Sequence, residues 1–197
     1  MVSSDIIPYS KKTLGDTDMT IEQQNFRKEI TAESHDHGAW TAEGYIQNQD
    51  LLEGYIYRTI PAKENSCGPI AVYNLCRHTG RELQFGDLLR EMDGMHFLHM
   101  PGPTLMHVMR RCLTKYLPGW QEVHGREDSI ARAQQSSMGI FRYHEQRIPH
   151  FVGYYREQGE NFHFYNVCDG QEDTVMPMTD FFRGHLRGGR VKLIWWE

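Results

Sequence analysis

Cys67, His150 and Asn166 are the residues of this chain whose types and spacing point to covalent chemistry. The run Glu64-Asn65-Ser66-Cys67-Gly68-Pro69 is turn-forming and leads into an apolar pattern. In that pattern Ile70, Ala71, Tyr73 (or Asn74), Leu75 and Cys76 recur at helical spacing, and Gly80 is a natural stop. Pro69 suits the first turn of a helix, where its missing N–H costs nothing. Gly68 lets the backbone pass close to whatever lies in front of the helix. Cys67 is then a thiol at a helix N-terminus, where unpaired N–H groups and the macrodipole favour the thiolate, the form of cysteine that attacks a carbonyl carbon. The alternative for Cys67 alone is a buried, inert thiol.

A thiolate nucleophile needs a base, and the base needs a partner that fixes its tautomer. His150 opens the β-type run His150-Phe151-Val152-Gly153-Tyr154-Tyr155, where a strand end can present its side chain at a cleft. The next such run, Phe162 to Cys168, contains Asn166. A tight antiparallel turn around Glu157 to Glu160 puts Asn166 across from His150, where an amide oxygen can accept from the imidazole. Asp169, three residues on, is the rival orienting residue.

The elements that must position these groups follow from the same pattern. A run from Tyr55 to Ile60 alternates as a strand leading into the Cys67 turn. Helices are expected over Phe85–Met92, from a Thr104 cap to Tyr116, and over Glu127–Ser137. Strands are expected over Met138–His144, His150–Arg156, Phe162–Cys168 and Val191–Trp196, with a short helix begun by Thr179. Helices first and antiparallel strands after them make an α+β fold, with the nucleophile-bearing helix packed on an antiparallel sheet. Residues 1–59 read as an N-terminal arm or extension, and 60–197 as the catalytic domain.

Composition narrows the function. The chain has 197 residues, 39% of them hydrophobic, enough for a substantial core. A net charge of −5 with scattered Lys and Arg argues against nucleic acid. The single Arg187-Gly188-Gly189-Arg190 run before an apolar strand reads as a turn. The four cysteines show no zinc spacing and read as free thiols in a reducing compartment. Met1 to Pro8 lacks the build of a signal peptide, and no apolar run approaches membrane-spanning length, so a cytoplasmic protein is expected. His35-Asp36-His37 lacks a visible third ligand and His96 and His99 read as loop residues, so no metal is expected. No nucleotide-binding glycine motif and no serine elbow occurs, so no cofactor is expected.

The helix start Asn65-Ser66-Cys67-Gly68-Pro69-Ile70-Ala71-Val72-Tyr73-Asn74, the strand His150-Phe151-Val152 and the run Phe164-Tyr165-Asn166 together resemble the papain-like cysteine peptidases. Within them, the resemblance is to the bacterial double-glycine leader peptidases and their stand-alone relatives. It covers residues 60–197 and implies a papain-like fold with Cys67 as nucleophile, His150 as general base and Asn166 as orienting residue. The leader-peptidase branch usually has Asp-Pro where Asn166-Val167 stands. Family members also carry an oxyanion-hole glutamine where this chain has Pro61, which leaves Asn65 as the candidate second donor beside the Cys67 N–H. The implied activity is hydrolysis of a peptide or amide bond through a Cys67 thioester. The alternatives are an acyltransferase or amidase with the same triad, or a silent peptide-binding protein on the same scaffold.

Overall fold

The apolar spacing after Cys67 does form a helix, Cys67–His78, and it is buried from Cys67 through Cys76. A helix apolar on every side must be covered on every side, and this one is the centre around which the chain packs. The computed structural model describes residues 38–97, 100–145, 148–167, 173–186 and 190–197. In order the elements are β1 (Ile56–Tyr57), β2 (Ile60–Pro61), α1 (Ala62–Asn65), α2 (Cys67–His78), α3 (Phe85–Gly94), α4 (Met106–Tyr116) and β3 (Gln121–His124). There follow α5 (Arg126–Gln135), β4 (Met138–Glu145), β5 (Ile148–Gln158), β6 (Asn161–Tyr165), β7 (Asp173–Pro177), α6 (Met178–His185) and β8 (Lys192–Trp196).

The main sheet has the order β3-β8-β4-β5-β6-β7, and each neighbouring pair is antiparallel. Alternation along the strands sends side chains to two cores. Ile140, Phe151, Ile194 and Trp196 join the residues of α2, α3 and α4 on one face. Phe141, Val152, Leu193 and Trp195 join Ala133 of α5 and Phe181 and Phe182 of α6 on the other. The expected α+β arrangement, with the Cys67 helix on an antiparallel sheet, is therefore present. Gly153 permits the close contact of α2 with β5, because a Cβ there would stand 3.2 Å from the Ala71 carbonyl oxygen.

Three sequence expectations are corrected. The run from Tyr55 to Ile60 is not one strand: Arg58 and Thr59 take left-handed φ values of 52° and 69° and fold it into the β1–β2 hairpin. Arg58 is buried and donates from Nη1 to the Pro103 carbonyl at 2.7 Å, a contact that holds the otherwise costly turn. Thr104 does not cap α4, which starts at Met106; its hydroxyl instead lies 3.1 Å from the buried Tyr57 hydroxyl. The strand expected through Cys168 ends at Tyr165, since Asn166 adopts φ 57° and leaves the ladder. Asn is one of the few side chains that tolerate that region.

The described part of the segment read as an extension, from Gly38 onward, shares the core of 60–197. Trp40, Ile46, Leu52, Tyr55 and Tyr57 are buried in the same cluster as Ile70 and Leu75. The attachment is specific. Buried Asn74 of α2 accepts from the Ile46 N–H at 2.9 Å and donates to the Ile46 carbonyl at 2.8 Å, as a neighbouring strand would. Ile46 is fully buried, so Asn74→Ala leaves both backbone groups without partners. The expected cost is about 2–4 kcal/mol, read as a lower urea midpoint at unchanged slope. A midpoint equal to that of the wild type would show that the clamp contributes nothing.

Candidate active site

Cys67 stands at the first position of α2, behind Ser66, and the first backbone bond of the helix runs from the Ile70 N–H to the Ser66 carbonyl at 2.9 Å. Pro69 has no N–H, so the free donors of the first turn are those of Cys67 and Gly68. Gly68 is required by shape: a Cβ there would lie 2.7 Å from Thr104 Cβ and Oγ1. This close approach seats the segment before α4 against the cysteine turn. Asn65 braces the same corner, donating from Nδ2 to the Tyr57 carbonyl at 3.0 Å and the Gly102 carbonyl at 3.2 Å.

The sequence brings Asn65 forward as a second oxyanion donor, and here the structure differs. Both amide hydrogens of Asn65 are engaged with backbone carbonyls, and its Oδ1 is buried without a hydrogen-bond partner. A primary amide has only those two hydrogens to give. Asn65 is a brace for the β1–β2 hairpin and the Gly102 loop.

His150, near the start of β5, is brought beside Cys67. Burial pushes the Cys67 thiol up. The hydrogen bond and charge of His150, followed by the backbone N–H groups of Phe151 and Gly68, outweigh burial and hold it below the ordinary thiol value. Cys76 and Cys112 show what burial does without such partners, since both are pushed up to about 12. Cys67 has 5% of its surface exposed whereas Cys76 and Cys112 have 0%, so a reagent can reach Cys67 most readily of these three.

The imidazole of His150 is fixed from behind. Its Nε2 lies 2.9 Å from the backbone carbonyl oxygen of Asn166. A carbonyl only accepts, so Nε2 carries the hydrogen and Nδ1 is the nitrogen left for the thiol. The ring of Tyr143 packs edge-on against it at 5.7 Å between centroids. Asn166 therefore meets His150, but through its main chain and not through the side-chain amide that the sequence suggests. The register explains the difference. β5 and β6 pair Gly153 with Tyr165, and continuing that register sets Asn166 against Val152. The hairpin turns between Gln158 and Asn161, later than the sequence reading assumes, and the bulge between Arg156 and Gln158 recovers only part of that offset.

The Asn166 side chain is engaged elsewhere. Its Oδ1 accepts from the Gln49 N–H at 2.9 Å, its Nδ2 donates to Gln49 Oε1 at 3.3 Å, and its own N–H donates to the Gln47 carbonyl at 3.1 Å. Gln47 and Gln49 are the site residues that sequence reasoning misses. They lie more than a hundred positions from Asn166, and no local pattern marks them. Asp169, the alternative third member, lies outside the described residues, as do His35, His37 and His99. His96 is buried with Nε2 at 3.0 Å from the Tyr57 hydroxyl. Among the described residues no group of His, Cys, Asp or Glu is arranged to hold a metal ion, and no helix is long and apolar enough to cross a membrane.

No protein-family model matches the chain, and no curated protein matches it. Among solved structures, it is similar to the peptidase domain of Streptococcus ComA, a bi-functional ABC transporter involved in a quorum sensing pathway. The TM-score is 0.43 and the identity 11%, with 68% of this chain and 93% of that chain covered.

Proposed function

We propose that this protein is a papain-like cysteine hydrolase that cleaves a peptide or amide bond through a thioester at Cys67. The observation that carries the reading is the pairing of Cys67, at the start of a buried helix, with an imidazole whose far nitrogen is held by the Asn166 carbonyl. In the reaction the Cys67 thiolate adds to the substrate carbonyl carbon, and the carbonyl electrons move onto oxygen. The Cys67 N–H at the head of α2 receives that oxyanion. His150, charged beside the thiolate, gives its Nδ1 proton to the leaving nitrogen as the C–N bond breaks. The thioester remains. Nδ1 then takes a proton from water, the hydroxide adds to the thioester carbonyl, and the free acid leaves as the thiolate returns.

A silent peptide-binding protein is the second reading, favoured by the engagement of both Asn65 amide hydrogens. Intact-mass analysis after mixing with an activated acyl ester separates the two. A catalytic Cys67 gains one acyl group, stable on denaturation in acid and absent from Cys67→Ala. No adduct in the wild type would leave the silent binder. If an adduct forms and is discharged faster by added amines than by water, the protein is an acyltransferase.

A further inference from the structure

We propose that Gln49 is a positioning residue that ties the cysteine side of the site to the histidine side. Its backbone N–H and its side-chain oxygen both meet the Asn166 amide, at 2.9 and 3.3 Å. Its side-chain nitrogen donates to the Lys63 carbonyl of α1 at 2.8 Å, in the short helix that precedes Cys67. One side chain thus spans from the turn that fixes His150 to the turn that fixes Cys67. Gln49 is itself held, because Asn48 Oδ1 accepts from the Asp50 N–H at 2.9 Å and the Leu52 N–H donates to the Gln49 carbonyl at 3.0 Å.

Asn166 needs such a holder. Its left-handed φ of 57° is what turns its carbonyl toward His150, and an isolated residue has many other conformations available. The amide-to-amide pairing with Gln49, together with the Gln47 carbonyl, leaves Asn166 one orientation. Gln49 touches neither the sulfur nor the imidazole. It acts through Asn166 and α1, and its contribution is the relative placement of two groups from distant parts of the chain.

The inference rests on the cysteine-hydrolase reading and is tested beside it. Gln49→Met keeps nearly the same bulk and removes both side-chain hydrogen bonds, whereas Gln49→Glu keeps the acceptor for Asn166 Nδ2 and loses the donor to Lys63. The readouts are the peptide-mapped iodoacetamide rate at Cys67 against pH, and kcat and KM on a substrate that the wild type turns over. Gln49→Met is expected to lower kcat by about 10- to 100-fold with KM little changed, and to move Cys67 alkylation to higher pH. Gln49→Glu is expected to fall between it and the wild type. In an Asn166→Ala background Gln49→Met is expected to add less than it does in the wild type, because only the bond to the Lys63 carbonyl is then left to lose. Folded variants with the alkylation profile and kcat of the wild type would overturn the inference; should Gln49→Met not fold, the profile of Gln49→Glu decides. If wild-type Cys67 reacts no faster than Cys76 and Cys112 at pH 6, the hydrolase reading falls and the positioning role falls with it. A fast wild-type Cys67 with unchanged variants removes the positioning role alone.

Discussion

Cys67→Ala is expected to lower turnover by a factor on the order of 10⁴ or more, with the fold retained. The nucleophile has no substitute in the site: the nearby hydroxyl of Ser66 is fully buried and has no hydrogen-bond partner to activate it. The variant keeps Cβ, and alanine is the best helix former, so α2 loses a single sulfur atom. The void costs about 1 kcal/mol, and removing a partly desolvated charge pair acts in the opposite direction. His150 keeps its Nε2 bond to the Asn166 carbonyl in either case. Turnover and the urea midpoint are measured on the same preparation. Activity within tenfold of the wild type would place the nucleophile somewhere other than Cys67.

His150→Ala is expected to slow Cys67 alkylation near pH 6 by about 10- to 100-fold and to move its midpoint above the ordinary thiol value of about 8.5. The sign follows from the balance at the sulfur. Burial raises the thiol, while His150 and the Phe151 and Gly68 N–H groups lower it; removing the imidazole removes the largest lowering cause and leaves burial to dominate. The thiolate is then populated only at alkaline pH, so reactivity lost at pH 6 reappears on raising the pH. The thiolate fraction falls by more than the rate does, because a more basic thiolate is intrinsically more nucleophilic. Cys76 and Cys112, buried and pushed up to about 12, provide the slow reference within one molecule. An unchanged alkylation profile would show that His150 does not activate Cys67.

Local pattern was enough for the helix that starts at Cys67, the stripe that became Met106–Tyr116 and the strands β4, β5, β6 and β8, but not for β7 over Asp173–Pro177. Each of these is set by apolar periodicity and by Gly or Pro at its ends. What escaped depends on contacts between distant residues or on single backbone angles. Arg58 and Thr59 give no turn signal, and their left-handed angles are held by the Pro103 carbonyl. β3 is only partly buried and too polar to stand out as a strand. His150 and Asn166 were legible as candidate partners of Cys67, because the runs that carry them were. The use of the Asn166 main chain in place of its amide was not, because it turns on the exact place of one hairpin turn and on one φ angle. The engagement of the Asn65 hydrogens was hidden for the same reason, since Gly102 is far from it in sequence.

The bond between the Gln49 N–H and the Asn166 side chain joins residues 117 positions apart, and it has a consequence for the order of events during synthesis. A chain growing from its N-terminus completes α2 and places Cys67 long before residue 150, and then 166, has been added. Through that interval the thiol lacks its imidazole, and the imidazole, once made, lacks its carbonyl acceptor. Loop closure over such separations is slow compared with helix formation, so the last native contacts to form are the ones that activate the sulfur. A nascent or half-folded chain therefore carries Cys67 as an ordinary thiol, without the imidazole and N–H groups that lower it in the folded protein.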